Sequence, residues 1–549
     1  MSSKDFKART MGKIKKQIWT IDCETDPFDG ESVIEPFIWG AYNGAIYKES
    51  GKIGDILDFI TDNGGGIIYA HNGGKFDFYF FMDLIPVESD ILVINGRLAK
   101  FTIGELEFRD SYCILPVPLA AFNKDDFDYS LLTKQNRVKP ENKIKISAYL
   151  KSDCINLYAP IIEFIDSYGD SITVAGAALK FFNKLTKTPR PKTSLNFFNK
   201  FSEFYFGGRV ECFTSGIVEN ELIVIDINSA YPHVMSELHH PYGDRYTLSG
   251  YLPKTDNYIR LSFITLKCAS LGCFPLRGKT NLQFPNDGLV REFLITGHEY
   301  LAARDCGLLK DVEIDSVITF SDSINFKPYV DHFSALKITA KEEGNAAQYI
   351  FSKLFLNGLY GKYGSNFSKY SKFHVIHAKS VNYYQTKLKA DFVSELTDET
   401  VIVKTDLEEE EMRFLNVATA ASVTGAVRAN LIRAKAECVG VHYMDTDSIV
   451  CEAFSEKLEI HPTKLGAWDV EAIATKGAFA GKKLYSLILR EDYATEKNGG
   501  SKNASKGAKL SSDEIFRVAR GETVEYANLA PTIGMKGLKY ISRNIRKTI

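Results

Sequence analysis

Two aspartates separated by one residue, Asp445 and Asp447, lie between short apolar segments at residues 439–441 and 449–451. The β-favouring flanks predict a hairpin with both carboxylates at its tip. Like charges this close repel each other and raise carboxylate pKa values. Hard cations such as Mg²⁺ relieve the repulsion, because they take oxygen ligands and bridge to phosphates. Alone, the pattern fits either a Mg²⁺ site or a polar turn.

A second set of carboxylates comes from three separate segments in the first third of the chain. Asp22 and Glu24 end a predicted strand, Asp77 follows a glycine turn, and Asp153 lies in a predicted helix at residues 144–158. Two cations about 4 Å apart, held by such carboxylates, activate a water for phosphodiester hydrolysis. Tyr149 precedes Asp153 by four residues and shares its helix face, so it is expected to orient that water. Each residue alone also fits ordinary surface structure.

The composition is that of a large globular protein. The 549 residues correspond to about three or four domain-sized units. A balance of 67 basic and 69 acidic side chains gives a net charge of −2. Acid-free basic strips at 183–200 and 532–549 can still contact phosphates, although surface solvation explains them equally well. Residues 398–411 are strongly acidic.

Several protein classes are excluded by what the sequence lacks. The sequence contains no run of about 18 apolar residues, so no transmembrane helix is predicted. The basic N-terminus lacks the apolar segment of a secretory signal. Nine cysteines without a C-x-x-C pair predict reduced thiols and no structural zinc. We therefore expect a cytoplasmic protein without membrane contact, and a monomer.

Three further features indicate which elements position the carboxylates. The apolar run 222–227 predicts a buried strand with Asp226 at its end. Residues 340–360 predict one helix, and the Pro-rich basic residues 187–192 predict the main domain boundary. One face of the predicted helix carries Lys353, Asn357, Tyr360 and Gly361.

The ordered N-terminal motifs, D-x-E, N-x3-F-D and Y-x3-D, resemble those of the DEDD-type 3′–5′ proofreading exonucleases, which have a ribonuclease-H-like α/β fold. The resemblance implies that Asp22, Glu24, Asp77 and Asp153 bind metal and that Tyr149 assists. It also implies a catalytic Lys124 and a single-strand role for Ser111 and Tyr112. Residues that would grip the frayed 3′ end, partly by stacking on bases, are Thr25, Tyr69, His71, Asn72, Phe76 and Phe80.

The later motifs resemble those of family B DNA polymerases, in the protein-primed branch found in small linear-genome phages and plasmids. Motif A is at 221–232, motif B at 353–361 and motif C at 443–448. The resemblance implies that Asp226 and Asp447 share two Mg²⁺ ions, for which Mn²⁺ could substitute, with Asp445 in support. Two Mg²⁺ ions are expected in each active site.

The same resemblance assigns the substrate contacts. The backbone of Ile227 would meet metal and triphosphate, and Tyr231 would exclude a 2′-hydroxyl by steric clash. The remaining nucleotide-binding residues would be Lys341, Lys353, Asn357 and Tyr360. The DNA contacts would be Tyr205, Gly207, Gly208, Gly361, Thr424, Arg428, Lys483 and Tyr485.

The expected architecture is a multidomain protein of α/β and α+β class: a ribonuclease-H-like exonuclease domain, then a right-hand palm, fingers and thumb. The exonuclease domain is predicted at 1–188 and the polymerase domain at 189–549. Within the latter the segments are palm at 189–239 and 415–485, first insertion at 240–335, fingers at 336–366, second insertion at 367–414 and thumb at 486–549. The insertions match the terminal-protein regions of the protein-primed branch.

The resulting hypothesis is a template-directed DNA polymerase with a proofreading exonuclease. Its partners would be a DNA template–primer, deoxynucleoside triphosphates and a separate terminal protein that primes synthesis. Three alternatives remain: a polymerase that extends conventional primers, an exonuclease whose C-terminal half only binds DNA, and a non-catalytic replication scaffold. Every hypothesis in which the protein synthesises DNA requires Asp226 and Asp447 to lie close together in space. If the chain is viral, we expect it to act in the host cytoplasm.

Overall fold

The computed structural model describes residues 16–122, 126–189, 192–279, 281–367, 370–412, 414–496, 498–535 and 537–548. Helices and strands are mixed along the whole chain, and the predicted mixed fold class is confirmed. No helix within these ranges has a stretch that is both long and apolar enough to cross a bilayer.

The described helices are α1 (Ile53–Asp62), α2 (Pro140–Tyr168), α3 (Val174–Thr186), α4 (Leu195–Ser202), α5 (Ala230–Glu237), α6 (Asp256–Arg260), α7 (Gly297–Asp305), α8 (Lys327–Glu342), α9 (Ala346–Tyr363), α10 (Val381–Leu388), α11 (Val417–Ala436) and α12 (Ser512–Ala519). The described strands are β1 (Ile18–Thr25), β2 (Pro36–Tyr42), β3 (Tyr47–Ser50), β4 (Ile67–Ala70), β5 (Asp90–Ile94), β6 (Arg97–Ile103), β7 (Leu106–Asp110), β8 (Val210–Cys212), β9 (Gly216–Val218), β10 (Leu222–Ile227), β11 (His240–Pro241), β12 (Tyr246–Ser249), β13 (Ser262–Ala269), β14 (Leu276–Arg277), β15 (Leu282–Gln283), β16 (Arg291–Thr296), β17 (Lys310–Phe320), β18 (Ser323–Ile324), β19 (Ser371–His377), β20 (Asp391–Glu395), β21 (Thr400–Asp406), β22 (Cys438–Val439), β23 (Tyr443–Asp445), β24 (Ser448–Cys451), β25 (Ala453–Phe454), β26 (Trp468–Gly481), β27 (Leu484–Leu489), β28 (Ser501–Ser505), β29 (Val524–Gly534) and β30 (Gly537–Ile545).

The N-terminal region is built on a sheet whose central strands β1, β4 and β7 run parallel. Helix α2 packs across β1 and β2, so its inner face meets the end of β1. The helix is longer than predicted, because Pro140 begins it and Gly169 ends it. The strands predicted at 17–21 and 66–70 correspond to β1 and β4.

This N-terminal sheet also recruits strands from much later in the chain. Its order is β20-β21-β19-β5-β6-β7-β4-β1-β2-β3. Strand β19 pairs antiparallel with β5, and His374 Nδ1 lies 2.8 Å from Asp90 Oδ1 at the junction. Residues 371–406 are therefore attached to the N-terminal sheet, which sequence patterns did not indicate.

The second large sheet has the order β28-β27-β26-β10-β24-β23-β8, with β9 paired to β26. The apolar run 222–227 forms its buried central strand β10, as predicted. Strands β23 and β24 form the predicted hairpin. Helices α5 and α11 cover one face of this sheet in a common apolar core. A smaller sheet, β12-β17-β13-β16, lies between β10 and α8 in the sequence.

The single helix predicted at 340–360 is wrong, because the structure has two helices, α8 and α9. Gly344 between them has a φ of +70°, a backbone conformation that an L-residue with a side chain adopts only at a cost. The Asn345 side chain accepts a hydrogen bond of 2.9 Å from Gln348 N and begins α9.

We expect Gly344→Ala to lower the free energy of unfolding by about 1–2 kcal/mol, because alanine must adopt the left-handed conformation. Urea denaturation followed by circular dichroism measures the change. Gly54→Ala is the matched control, since Gly54 lies inside α1 and an added methyl group there has no atom within 4 Å. That control should be neutral or stabilising, and an equal loss in both variants would contradict the explanation.

Candidate active sites

The end of β10 and the β23–β24 turn meet at the centre of the second sheet. Asp226 is the register partner of Ser448, and Ile227 N donates a hydrogen bond of 2.9 Å to Asp447 O. Facing residues of neighbouring antiparallel strands have Cα atoms about 4.5–5.5 Å apart. Asp226 and Asp447, 221 positions apart in the sequence, are therefore neighbours in space, as the hypothesis requires.

The electrostatics of this pair are unfavourable without a counter-charge. Burial, Asp447 and Glu471 raise the pKa of Asp226 to about 7. Burial and Asp445 raise the pKa of Asp447 to about 6. Two half-buried carboxylates that resist ionisation suit divalent cations, because hard cations prefer oxygen ligands.

Asp445 is held differently from Asp447. Its carboxylate forms an ion pair with Lys483 Nζ, and Thr446 Oγ1 donates a hydrogen bond of 3.2 Å to Asp445 Oδ1. Lys483 N also donates a hydrogen bond of 2.7 Å to Tyr443 Oη. Lys483 therefore supports the hairpin in this structure, whereas the sequence assigned it to the primer.

Residues 207–209 hold the tip of the hairpin from outside. Arg209 O accepts a hydrogen bond of 2.6 Å from Thr446 N. A methyl group on Gly208 would lie 2.8 Å from the Thr446 side chain, so only glycine permits this approach. Gly207 is exposed, and Tyr205 is half-buried. Contact of Tyr205, Gly207 and Gly208 with DNA stays a prediction.

Helix α9 presents the predicted nucleotide-binding face beside the hairpin. Lys353, Asn357 and Gly361 are exposed on it. Tyr360 stacks on Tyr231 of α5 with ring centroids 4.4 Å apart and an interplanar angle of 3°. Burial raises the pKa of both tyrosines, and Asp447 contributes in the same direction. Lys341 is exposed in the last turn of α8, beyond the break at Gly344.

Four predicted polymerase contacts need correction. Arg428 is 1 % exposed: its Nε donates a hydrogen bond of 2.8 Å to Glu299, and its Nη1 donates to the carbonyl groups of residues 206 and 207. Thr424 is buried and donates to Ala421 O. Both residues face the core around α11 in this structure.

Tyr485 and Ile227 are corrected for related reasons. Tyr485 is 7 % exposed, with its ring centroid 4.6 Å from that of Tyr443, so its ring packs in the core of the sheet. The N–H of Ile227 is already bonded to Asp447 O and cannot hold a phosphate. Only the carbonyl group of Ile227 remains for a metal or substrate.

A second group of carboxylates lies where β1 meets α2. Oxygen atoms of Asp22, Glu24 and Asp153 all lie within 4.8 Å of one another, close enough to hold one metal ion. Asp77 is outside this group. Its buried carboxylate accepts a hydrogen bond of 3.3 Å from Cys23 Sγ, and burial raises its pKa to about 7. The structure thus brings three of the four predicted ligands together.

Tyr149 lies beside these carboxylates, inside an aromatic cluster. Its ring stacks on Phe127 with centroids 4.0 Å apart, and its hydroxyl lies 3.1 Å from Tyr129 Oη. Burial and Tyr129 raise its pKa. A neutral tyrosine hydroxyl next to the metal-binding group can orient a water. The predicted catalytic Lys124 lies outside the described residues.

A cavity of about 670 Å³ opens over this group. His71, Asn72 and Phe76, three of the residues predicted to grip the 3′ end, line this cavity. Phe80 packs on Phe76 with ring centroids 5.1 Å apart. Its far wall comes from residues 530–533 of the C-terminal hairpin β29–β30. No sequence pattern indicated this wall, because it depends on tertiary packing of residues 530–533 against the N-terminal region.

Other predicted contacts with the 3′ end are corrected by burial. Tyr69 is 2 % exposed and its hydroxyl accepts a hydrogen bond of 3.2 Å from Arg109, while Ser111 is 0 % exposed and donates to Ala70 O. Thr25 is also buried and donates to Asp26 O. Tyr112 is partly exposed, with the Arg97 guanidinium 4.4 Å from its ring centroid.

Sequence reasoning missed five residues that the structure places at the two sites. Glu471 on β26 contributes to the raised pKa of Asp226 and Asp447 and forms an ion pair with Lys502 of β28. Cys23, Phe127 and Tyr129 hold or surround the second carboxylate group. Cys23 lies between two predicted ligands in the sequence, whereas the other four residues belong to no motif identified in the sequence.

Comparison with known proteins agrees with this arrangement. Residues 123–438 match the family model described as DNA polymerase type B, organellar and viral. The DNA-directed DNA polymerase of Enterobacteria phage PRD1 is 33 % identical over 98 % of this chain and all of that relative. A probable DNA polymerase of Neurospora intermedia is 22 % identical over 84 % of this chain and 56 % of that relative.

The fold has solved counterparts. Phi29 DNA polymerase in complex with primer–template DNA and incoming nucleotide matches 98 % of this chain and 100 % of that chain, with a TM-score of 0.74 and 18 % identity. An orthorhombic crystal form of Phi29 DNA polymerase matches equally, at 97 % and 100 % coverage. The two carboxylate groups and these full-length matches lead to one conclusion: the chain belongs to the type B DNA polymerases of organelles and viruses, and is a DNA-directed DNA polymerase.

Proposed function

We propose that Asp226 and Asp447 are the metal ligands of the polymerase site, with two Mg²⁺ ions as the cofactor and Mn²⁺ able to substitute. The observation that carries this proposal is the position of Asp226 at the end of β10 beside Asp447 in the β23–β24 turn, with raised pKa values for both. Bound in pairs, such ions activate the attacking hydroxyl and stabilise the leaving oxygen. Asp445 would keep the hairpin in place through Lys483, and the carbonyl group of Ile227 would face the nucleotide.

The incoming nucleotide would lie between α9 and the hairpin. Lys353 and Asn357 are exposed on α9 and would contact the nucleotide, and Lys341 would contribute charge from α8. The stacked rings of Tyr231 and Tyr360 form a rigid floor. A rigid ring beneath the sugar would reject a 2′-hydroxyl and accept a deoxyribose.

The second carboxylate group would remove mismatched 3′ ends. Asp22, Glu24 and Asp153 would hold one cation, and Asp77 would complete a second site after it leaves Cys23. Tyr149 would orient the attacking water. His71, Asn72 and Phe76 line a cavity of about 670 Å³ that suits unpaired bases, because stacking on aromatic rings tolerates any sequence.

The proposed domain division is an exonuclease domain at 1–188 and a polymerase domain at 189–549. The palm, fingers, insertions and thumb would have the boundaries given above. Strands β19–β21 belong to the second insertion by sequence and to the exonuclease sheet by pairing. That insertion would therefore couple the two activities mechanically.

Primer–template DNA and deoxynucleoside triphosphates would be the substrates, and a separate terminal protein would supply the first hydroxyl. The first insertion, 240–335, forms its own small sheet and offers a surface for that protein. A relative encoded by a bacteriophage supports action in the host cytoplasm, and we predict a monomer.

Extension of conventional primers is the second candidate. Incubation with labelled nucleotide and the candidate priming protein of the same genome decides: transfer of label to that protein supports priming, and its absence contradicts it.

Separate variants should divide the two activities. Asp447→Ala should lower nucleotide incorporation by about 10³-fold or more, because a lost metal ligand removes several kcal/mol of transition-state stabilisation. Degradation of single-stranded DNA should persist. Asp22→Ala should show the opposite pattern. Both are measured by primer extension and by oligonucleotide shortening on gels. Loss of both activities in either variant would contradict two independent sites.

The sugar discrimination should depend on the ring of Tyr231. Tyr231→Ala should lower the preference for deoxyribonucleotides over ribonucleotides by about tenfold or more, because the steric clash is removed. Single-nucleotide incorporation kinetics measure the ratio of kcat/KM values. Tyr231→Phe is the control and should keep the preference, since its ring can still stack on Tyr360. An unchanged ratio in Tyr231→Ala would assign discrimination elsewhere.

Stability should respond to Mg²⁺ more strongly at higher pH. Aspartates titrate near about 3.9 in the unfolded chain, but at about 7 and about 6 for Asp226 and Asp447 in the folded one. The folded protein holds protons that the unfolded chain has lost, so metal-free stability falls as pH rises from about 4 to about 7. Bound Mg²⁺ removes this loss.

Differential scanning calorimetry should therefore show a larger Mg²⁺-dependent increase in Tm at about pH 8 than at about pH 6. In the double variant Asp226→Asn, Asp447→Asn, the Mg²⁺-dependent increase in Tm should lose the pH-dependent part that Asp226 and Asp447 contribute. The remaining carboxylate group should keep its own response. An identical response in wild type and double variant would mean that the pair does not bind the cation.

A further inference from the structure

A cavity of about 340 Å³ lies where α6 and α7 meet α11. Its lining includes Arg260 of α6, His298 and Asp305 of α7, and Arg433 of α11. The two arginines are partly exposed, so a solute can reach them, whereas His298 is 4 % exposed. None of the lining residues belongs to the two carboxylate groups described above. We call this space the α6–α11 cavity.

Positive charge exceeds negative charge around the α6–α11 cavity. Arg304, beside it, forms ion pairs with both Asp256 and Asp305. Arg433 forms a further ion pair of 3.3 Å with Asp305. Arg260 forms no ion pair within the described part of the chain, although Asp256 attracts it. Three guanidinium groups therefore share two carboxylates, which leaves an excess of one positive charge.

A chain of hydrogen bonds fixes which nitrogen atom of His298 carries hydrogen. Val234 O can only accept, so His240 Nε2 donates to it over 2.9 Å. Burial lowers the pKa of His240 to about 4, so its ring is neutral and its Nδ1 accepts a hydrogen bond of 2.9 Å from Ser422 Oγ. Ser422 Oγ in turn accepts from His298 Nε2, which lies 3.2 Å away. His298 Nδ1 has no hydrogen-bond partner among the described residues.

The free nitrogen atom of His298 couples an anion in the cavity to a proton. A neutral ring offers a lone pair at Nδ1, whereas a protonated ring offers an N–H that can donate to an anion. Burial lowers the pKa of His298, and three basic groups that face it act in the same direction: His240, Arg260 and Arg433. On its own helix, Asp305 is ion-paired as described, and Glu299 pairs with Arg428. A bound anion would supply the negative charge that favours the protonated ring.

We propose that the α6–α11 cavity binds a small phosphate-type oxyanion, either inorganic phosphate or pyrophosphate, between Arg260 and Arg433, and that His298 takes up a proton as the anion binds. The proton passes from solvent to Nδ1, which then donates a hydrogen bond to the anion. Guanidinium groups suit this ligand, because their planar donors match phosphate oxygens. The anion would offset the excess positive charge and hold the three helices together. The proposal goes beyond the proposed function and does not depend on it, since the site shares no residue with the carboxylate groups.

The test is isothermal titration calorimetry of sulfate binding to the full chain in EDTA, without DNA or nucleotide. Sulfate is the probe because its charge, unlike that of phosphate, does not change in the neutral pH range. Arg260→Gln and Arg433→Gln should each weaken sulfate binding by about tenfold or more, since each removes a charged donor. Arg245→Gln is the matched control and should bind sulfate as the wild type does, because Arg245 is an exposed arginine of the first insertion outside the cavity.

The pH dependence tests the role of His298. Wild-type affinity for sulfate should rise about threefold or more between about pH 7 and about pH 5, because binding takes up a proton. His298→Gln can still donate an N–H to Ser422 but cannot titrate, so its affinity should lose this rise. Asp226 and Asp447 titrate in both proteins, and the difference between the two pH profiles therefore belongs to His298.

Unchanged sulfate affinity in both arginine variants would overturn the proposal, and so would equal pH profiles of wild type and His298→Gln. Differential scanning calorimetry identifies a variant that fails to fold, and the partly exposed arginine positions then decide. Competition with sulfate by phosphate or pyrophosphate supports the proposal, and the stronger competitor identifies the ligand. Competition by polyglutamate but by neither phosphate nor pyrophosphate would overturn it and assign the cavity to an acidic protein segment.

Discussion

The repulsion between Asp226 and Asp447 is the constraint on which the polymerase half of the molecule depends. Burial raises the pKa of both groups. Asp447 adds to the effect on Asp226, Asp445 adds to the effect on Asp447, and Glu471 adds to both. Two carboxylates this close stay together only because surrounding contacts hold them in place. A bound cation offsets their repulsion when the protein is active. The backbone bond from Ile227 N to Asp447 O fixes the two strand ends relative to each other.

Buried contacts outside the site hold this arrangement. Arg428 and Glu299 form an ion pair that is almost completely buried, and Arg428 also binds the carbonyl groups of residues 206 and 207. Removal of one partner of such a pair costs about 3–5 kcal/mol. The pair joins α7 of the first insertion to α11 and to residues 206–209, which contact the tip of the hairpin. The insertion is thus built into the support of the site.

The carboxylates were predictable from the sequence because their spacing reflects local geometry. A D-x-D between β-favouring residues requires only a hairpin, and Y-x3-D requires only a helix. Arg428 and Tyr485 were assigned to DNA from motif position, and burial corrected both, since a motif does not reveal which side of an element faces the core. The wall at 530–533 and the pairing of β19 with β5 involve residues remote in sequence, so no local pattern could predict them. Asp77 was predicted as a metal ligand from its motif. Its hydrogen bond with Cys23 was not predictable, because it depends on the side-chain conformation.

The most direct test of the shared metal site is anomalous diffraction from crystals of this protein with Mn²⁺, primer–template DNA and a non-reactive nucleotide. The account predicts two Mn²⁺ peaks about 4 Å apart, both in contact with the carboxylates of Asp226 and Asp447. Peaks bound to only one of these residues, or carboxyl groups more than about 10 Å apart, too far to bridge such a metal pair, would contradict it.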